Sequence, residues 1–274
     1  MNEEDRATLE SRIVPMDPRW RAILAGESRL AFGTRAGRRL FGLVPSPWRC
    51  KFCNAPFRGP YAGAFQWVGY APSRKNPQIC ARCMERAPEG GAVIPVAVMF
   101  ADVRGYTSLA ERLSSAEATA LLNRFYQTAS RALLTHHAVL GQIAGDEVMA
   151  VFVPGFAGRS YVRRAVEGTH ALLEAVGYGT AEPSWIDLGA GVCSGEEYVG
   201  NVGGGGFKDF TALGDVTNTA ARLQGAANGG EILVSSDAYR VVIDAYPNAR
   251  RELLTLKGKR AAVEAFRITV GGPD

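Results

Sequence analysis

Long apolar runs, histidines and, over one stretch, acidic residues are scarce in this chain, and each scarcity excludes something. The longest apolar run, Ala92 to Ala101, is ten residues with Pro95 inside it, about half of what a membrane-crossing helix needs. No transmembrane segment is therefore expected. The start Met1-Asn2-Glu3-Glu4-Asp5 is acidic, unlike a secretory leader, so a cytoplasmic protein is expected. Histidine occurs only as His136, His137 and His170. None falls at a ligand spacing, which leaves them as surface or helix-end residues. No Asp or Glu stands between Ser28 and Met84, where ten basic residues do: Arg29, Arg35, Arg38, Arg39, Arg49, Lys51, Arg58, Arg74, Lys75 and Arg82. With a net charge of +4 over the chain, the remainder carries −6. A basic N-terminal part thus precedes an acidic one. Docking of the two within the protein is the simpler reading, an external anionic partner the alternative.

Cysteine is sparse too, at five, but four are paired in sequence: Cys50-Lys51-Phe52-Cys53 and, after twenty-six intervening residues, Cys80-Ala81-Arg82-Cys83. Each Cys-x-x-Cys turn presents two thiolates to one ion, and two such knuckles complete a tetrahedral set. Zinc is the first choice; an iron–sulfur cluster or a redox-switched dithiol are the alternatives. The fifth, Cys193, ends a predicted strand with no second thiol and reads as buried and inert. Between the knuckles, Phe57, Tyr61, Phe65, Trp67 and Tyr70 are interleaved with Arg58 and followed by Arg74-Lys75, a composition also found on nucleic-acid-binding ribbons. A module of about forty residues needs aromatics to have a core, so nucleic acid is not the expected partner.

A length of 274 residues suits one large or two small domains. The expected division is an N-terminal helical segment at 1–45, the four-cysteine module at 46–90 and a larger domain at 92–270. Residues 3–13 have helical composition, and Trp20, Ile23, Leu24 and Leu30 recur at roughly helical spacing, predicting one or two short amphipathic helices packed on a neighbouring domain or subunit, with a membrane-surface helix as the alternative given the arginines and Phe41. Arg86 to Gly91 has linker composition. Ser114 to Glu117 is a capping box before a long helix with Leu121, Leu122, Phe125, Ala129, Ala132 and Leu133 on one face. Val139–Ile143 and Val148–Val153 predict a hairpin, and 160–176 a helix with Val162, Val166, Leu172 and Leu173 inward. Strands are expected at Ile186–Val192 and Tyr198–Val202, with Gly203 to Gly206 as a hairpin tip rather than a phosphate cradle, because no Lys-Ser/Thr follows. Phe210–Leu213, Ile232–Val234, Leu253–Leu256 and Val263–Ile268 read as strands, 215–227 and 238–246 as helices.

The chain is organised around Val96-Ala97-Val98-Met99-Phe100-Ala101-Asp102-Val103-Arg104-Gly105-Tyr106-Thr107, a β-branched run that breaks at a carboxylate and a glycine turn. Alone, Asp102 reads as a cap or turn former. A second carboxylate, Asp146, sits in a tight turn before the strand Val148 to Phe152. Two acids brought together by adjacent strands make a divalent-metal site. Phe100 to Thr107, Gly145-Asp146 with Met149 and Phe152, and Ala212-Leu213-Gly214-Asp215-Val216-Thr217-Asn218-Thr219-Ala220-Ala221-Arg222-Leu223 together resemble the class III adenylate/guanylate cyclase catalytic domain, from about Val93 to Val270. Ala144 to Val148 also looks like the Gly-Gly-Asp-Glu-Phe signature of diguanylate cyclases, but its first Gly and final Phe are missing and Asn218 and Arg222 have no counterpart there.

The resemblance implies an α/β (α+β) ferredoxin-like fold with a mixed, largely antiparallel sheet flanked by helices. It implies two Mg2+ or Mn2+ ions on Asp102, Asp146 and the Val103 carbonyl, and backbone amides around Tyr106 and Thr107 cradling the terminal phosphates. Asn218 would orient the ribose and Arg222 stabilise charge on the α-phosphate. Lys257, or else Lys259, would meet the phosphates. The site would form across a head-to-tail homodimer acting on a nucleoside triphosphate. The base-reading positions hold Gln142 and Thr211. Thr211 matches bacterial adenylate cyclases, while Gln142, which both donates and accepts, leaves ATP, GTP and a pyrimidine nucleotide open, with ATP first. Two other classes stay in view: a low-turnover nucleotide-binding regulator with this fold, and a metal-ribbon nucleic-acid binder.

Overall fold

The structure, a computed structural model, describes residues 18–25, 35–73, 77–87, 90–202, 209–256, 259 and 261–271. In chain order these form α1 (Pro18–Leu24), α2 (Arg35–Leu43), α3 (Ala62–Phe65), a π-helical turn (Gln66–Tyr70), α4 (Ala81–Arg86), β1 (Gly90–Val103), α5 (Tyr106–Ala110), α6 (Ser115–Thr135), β2 (Val139–Ala144) and β3 (Glu147–Phe152). Then follow α7 (Pro154–Ala157), α8 (Tyr161–Ala175), β4 (Leu188–Val202), β5 (Asp209–Leu213), α9 (Asp215–Ala226), β6 (Glu231–Ser235), α10 (Ser236–Tyr239), β7 (Arg250–Leu254) and β8 (Val263–Thr269). The eight strands make one sheet in the order β2-β3-β1-β4-β6-β8-β7, with β5 hairpinned onto β4. Every pairing is antiparallel except β4 with β6.

Val96 to Ala101 form an unbroken apolar run because β1 is central and covered on both faces,. Successive side chains of a strand point to opposite faces. Ala97, Met99, Ala101 and Val103 accordingly join Phe125, Ala129 and Leu133 of α6 and Val162, Val166, Leu172 and Leu173 of α8 in one core. Val96, Val98 and Phe100 join a second core on the other face, with Ala220 and Leu223 of α9, Trp20, Phe52 and the four paired cysteines. The basic N-terminal part therefore packs against the sheet itself. Trp20 meets Phe210 at 5.8 Å between ring centroids, and Phe52 meets Phe156 at 5.3 Å. Among the described residues, no helix is long and apolar enough to cross a membrane.

Helix α6 starts where the capping box puts it: Ser114 Oγ accepts from the Glu117 N–H at 3.3 Å, and the Ser114 N–H donates to Glu117 Oε2 at 2.8 Å. Four expectations change. The strands expected at Ile186–Val192 and Tyr198–Val202 are one strand, β4, held in register by β1 from Leu188 to Asn201 although Gly191, Ser194 and Gly195 dilute its apolar pattern. Cys193 is thus mid-strand, buried, its thiol pushed up to about 11 by burial. The helix expected at 238–246 lasts only from Ser236 to Tyr239 before turns, consistent with the poor helix propensity of Val241, Val242 and Ile243. Gly90 and Gly91, expected in a linker, pair with Asn201 and Gly200 as the start of β1. Of the module's aromatics, Phe57 is buried and Phe65 and Tyr70 pack on Phe41, but Tyr61 and Trp67 are exposed. The expectations at residues 3–13, Leu30, Gly203 to Gly206 and Lys257 lie outside the described residues. The strands on either side of residues 203–208, β4 and β5, run antiparallel, with Val202 opposite Asp209.

At the far edge of the sheet, Arg267 donates from Nη2 to Glu252 Oε2 at 2.7 Å and from Nε to Oε1 at 2.9 Å, and also pairs with Glu231. These bonds, with Arg250, hold the Glu252 carboxyl down at about 2 from its ordinary 4.5. A depressed carboxylate adds stability above its ordinary pKa, and that stability is lost as pH falls through the folded value. Glu252→Gln is expected to melt below the wild type at pH 7, with the difference shrinking between pH 4.5 and 2. Thermal melts across that range check it, and a constant difference would contradict it.

Candidate active site

Asp102 is the half-buried penultimate residue of β1, opposite Glu147 of β3 and Gly189 of β4. Asp146 lies in the turn that joins β2 to β3. Gly145 takes a φ of +59° there, a left-handed conformation that glycine adopts without strain from a Cβ. The turn is pinned from two sides: the Val103 N–H donates to the Asp146 carbonyl at 3.2 Å, and the Tyr126 hydroxyl of α6 donates to the Gly145 carbonyl. The two acids predicted from separate stretches are thereby neighbours. Burial, and then the Asp146 carboxylate beside it, raise the Asp102 pKa. Glu147 is raised by burial and by both aspartates.

Against these three acids stands one guanidinium, that of Arg104, with Nη2 3.3 Å from Asp102 Oδ2. Half-buried carboxylates with surplus negative charge suit a hard divalent cation, which takes oxygen ligands and relieves their repulsion. The site's residues therefore fit magnesium or manganese. Just beyond, Gly105 takes a φ of +65° and caps the short helix α5, which opens at Tyr106 and Thr107. N–H groups at a helix start lack intrahelical partners and are free to bind oxygen.

Asn218 and Arg222 lie one turn apart on α9, Asn218 exposed and Arg222 half-buried. Among the described residues no hydrogen bond or ion pair joins either to Asp102 or Asp146. Thr211 is half-buried on β5, its hydroxyl 3.4 Å from the Ala212 carbonyl, and β5 touches β2, the edge strand that carries Gln142 at a bulge. Lys259 is engaged elsewhere: its Nζ lies 2.5 and 2.7 Å from the carboxylate oxygens of Asp215, at the start of α9.

Two positioning residues escaped the sequence reading. Gln224 is buried on α9 with its amide close to Asp102, where it favours the ionised carboxylate, and its Nε2 has no hydrogen-bond partner among the described residues. The helix comes this close because residue 191 is glycine; a Cβ there would sit 2.2 Å from the Gln224 nitrogen and 2.4 Å from the Ala220 carbonyl oxygen. Glu197, also buried, accepts from the Thr217 N–H at 3.0 Å and its hydroxyl at 2.6 Å and so anchors the first turn of α9. Their signal was a polar residue on an otherwise apolar face: Gln224 continues the row Val216, Ala220, Leu223.

The second constellation is the cysteine set. The four sulfurs of Cys50, Cys53, Cys80 and Cys83 lie within 4.8 Å of one another, all buried, with Cys53 and Cys80 at 3.7 Å. A tetrahedral ion with metal–sulfur bonds of about 2.3 Å sets its sulfurs about 3.8 Å apart. The set fits one ion; a cluster of several irons spreads its thiolates wider. Backbone N–H groups of Cys80 and Cys83 donate to Cys50 Sγ and Cys80 Sγ at 3.3 and 3.4 Å. Hydrogen bonds from its three neighbours pull the Cys50 thiol below its ordinary range.

Comparison with known proteins bears on residues 92–269, which match the adenylate and guanylate cyclase catalytic domain family. An uncharacterized protein of Mycobacterium tuberculosis is 33% identical over 173 residues, 62% of this chain and 30% of that protein. One of Mycobacterium bovis is 29% identical over 156 residues, 56% of this chain and 28% of that protein. The chain thus spans about 30% of the length of these curated relatives. Among solved structures, the adenylyl cyclase CyaB from P. aeruginosa superposes with a TM-score of 0.57 at 28% identity, covering 63% of this chain and 92% of that one. The guanylyl cyclase Cya2 superposes at 0.60 and 24% identity, covering 67% and 96%, a likeness of fold.

Proposed function

The chain belongs to the adenylate and guanylate cyclase catalytic domain family, and from that premise we propose that it converts a nucleoside triphosphate, ATP first, to the 3′,5′-cyclic monophosphate and pyrophosphate. The observation that carries this reading is the juxtaposition of Asp102 and Asp146 in a site with surplus negative charge. A domain that only bound nucleotide would have no need of both acids.

Asp102, Asp146 and the Val103 carbonyl would hold two magnesium or manganese ions, which supply acidification of the ribose 3′-hydroxyl and charge neutralisation at the triphosphate. The protein does the rest. Backbone amides at Tyr106 and Thr107 bind the terminal phosphates, and Lys257 meets them as well. Asn218 orients the ribose so that the 3′-oxygen lies in line with the α-phosphorus. Arg222 stabilises the charge that builds on the α-phosphate oxygens, a role whose loss typically costs a few kcal/mol of barrier. As the family resemblance implies, the complete site takes its acids from one copy and its Asn and Arg from a second, in a head-to-tail homodimer; among the described residues no bond joins Asn218 or Arg222 to the two acids of the same chain. Gln142 and Thr211 face the base.

The three-part division into 1–45, 46–90 and 92–270 goes with this reading. The middle part holds one zinc ion on Cys50, Cys53, Cys80 and Cys83 and braces the catalytic sheet, and the product serves intracellular signalling. A second reading, a nucleotide-binding regulator with little turnover, draws on Gln142 at a position where adenylate cyclases commonly place Lys.

Incubation with ATP, GTP, CTP or UTP, each with magnesium and separately with manganese, tests both. Cyclic AMP with pyrophosphate is expected, and an Asp102→Ala blank should give none. Another cyclic nucleotide would change the base but keep the reaction. Nucleotide binding without product, in protein shown to be dimeric and metal-loaded, would leave the regulator.

A further inference from the structure

We propose that the cleft between the cysteine module and the C-terminal end of α6 binds a small phosphorylated ligand with a planar ring, of the mononucleotide class, at a site that shares no residue with the acids. The cleft has a volume of about 830 Å3, within the range of small-molecule sites. Its wall carries Trp48, Arg49, Lys51, Arg58, Arg131 and His137, and no carboxylate is among its thirteen lining residues.

These cations differ in how far they are already used. Arg49 is structural, its guanidinium bonded to the carbonyls of Phe41, Asn54 and Val44. Among the described residues Lys51 pairs with no carboxylate; its Nζ lies 3.0 Å from His137 Nδ1. Arg58 lies over the Trp48 ring at 5.1 Å. Arg131 projects from α6 with no carboxylate partner among the described residues. A zinc tetrathiolate beneath Cys50 carries a charge of about −2. The four basic side chains exceed it, so the wall stays positive when the metal is bound.

His137 closes α6 in a left-handed turn, φ +65°, in which the His137 N–H donates to the Leu134 carbonyl and the Ala138 N–H to the Leu133 carbonyl,. There it turns its imidazole to Lys51. Phosphate oxygens match Lys51 and Arg131, which give charge-assisted hydrogen bonds. The partly exposed face of Trp48 matches a flat ring, which the neighbouring Arg58 would help to hold.

The probe is 5′-AMP, titrated into the full chain without added divalent ions and followed by calorimetry and tryptophan emission. Saturable binding is expected. It should persist in Asp102→Ala and in Arg222→Ala, and weaken about tenfold in Arg131→Gln, which removes one charge-assisted contact. Lys51→Gln should do the same, and Arg131→Gln keeps the result interpretable if Lys51→Gln disturbs the knuckle, since residue 131 lies on an exposed helix face. Inorganic phosphate and ribose 5-phosphate should compete more weakly, as they lack the ring, and Trp48→Ala should abolish the advantage of AMP over them. No saturable binding, or binding lost in Asp102→Ala but unchanged in Arg131→Gln, would overturn the proposal. The readout is binding, so its failure would leave the cyclisation test untouched.

Discussion

Asp102→Asn is expected to lower product formation about a thousandfold while leaving the protein folded and, without divalent ions, slightly more stable than the wild type. The loss follows from the metal role: removing one of two acids that anchor the ions forfeits about 4 kcal/mol of transition-state stabilisation. The stability gain follows from the same geometry. Asp102 is half-buried beside Asp146, and both conditions disfavour its charge; a neutral amide removes that cost. Because the site is partly open to solvent, the gain is small, about 1–3 °C in melting temperature. Manganese should raise the melting temperature of the wild type and not of the variant. An inactive variant that is also less stable would mean that Asp102 serves the fold instead.

The same variant tests the shared site. Arg222→Ala should be inactive alone, but mixing it with Asp102→Asn should restore activity. In a random mixture half the dimers pair one chain of each kind, and each such dimer carries one intact site of two, so about a quarter of wild-type activity is expected. No recovery, with subunit exchange demonstrated, would place the acids and Arg222 in one chain's site.

Cys80→Ser is expected to empty the four-thiolate site and lower the melting temperature by about 10 °C or more. Binding energy at a structural zinc site is folding energy, on the order of 10 kcal/mol in small modules. Here one ion would tie together both knuckles of the module. Its two knuckles are joined by bonds such as Lys51 N–H to the Gln78 carbonyl at 2.9 Å and by the cysteines themselves. Its loosening would also reach the catalytic sheet, because Cys50, Cys53, Cys80 and Cys83 share a core with Val96, Val98 and Phe100. Metal analysis of the purified wild type should return one zinc per chain and no visible absorption; iron with a coloured spectrum would overturn zinc. Cys193→Ser is the control, since that thiol is mid-strand and away from the set, and zinc content should not change.

Much of this was legible in the chain itself wherever the information is local. The two knuckles, the apolar run that ends at Asp102, the acid in a glycine turn and the capping box at Ser114 are patterns over a few residues, and each was found where it was expected. Periodicity read less well where a strand is stabilised from outside. β4 looked like two strands because Gly191, Ser194 and Gly195 weaken its pattern, yet pairing with β1 carries it through.

What the sequence by itself determined is the chemistry: which acids, thiols and cations are present, and in what order along the chain. Only the tertiary structure decided their company. It set Gln224 against Asp102 across more than a hundred positions, drew the cysteine module into the second core of the sheet, and faced Lys51 with His137 and Arg131 around one cleft. The reason is physical. Local spacing governs backbone conformation through sterics and hydrogen bonds, whereas contacts between distant segments arise when apolar faces are buried together, and the polar groups brought along are paired, or left without partners, by that packing.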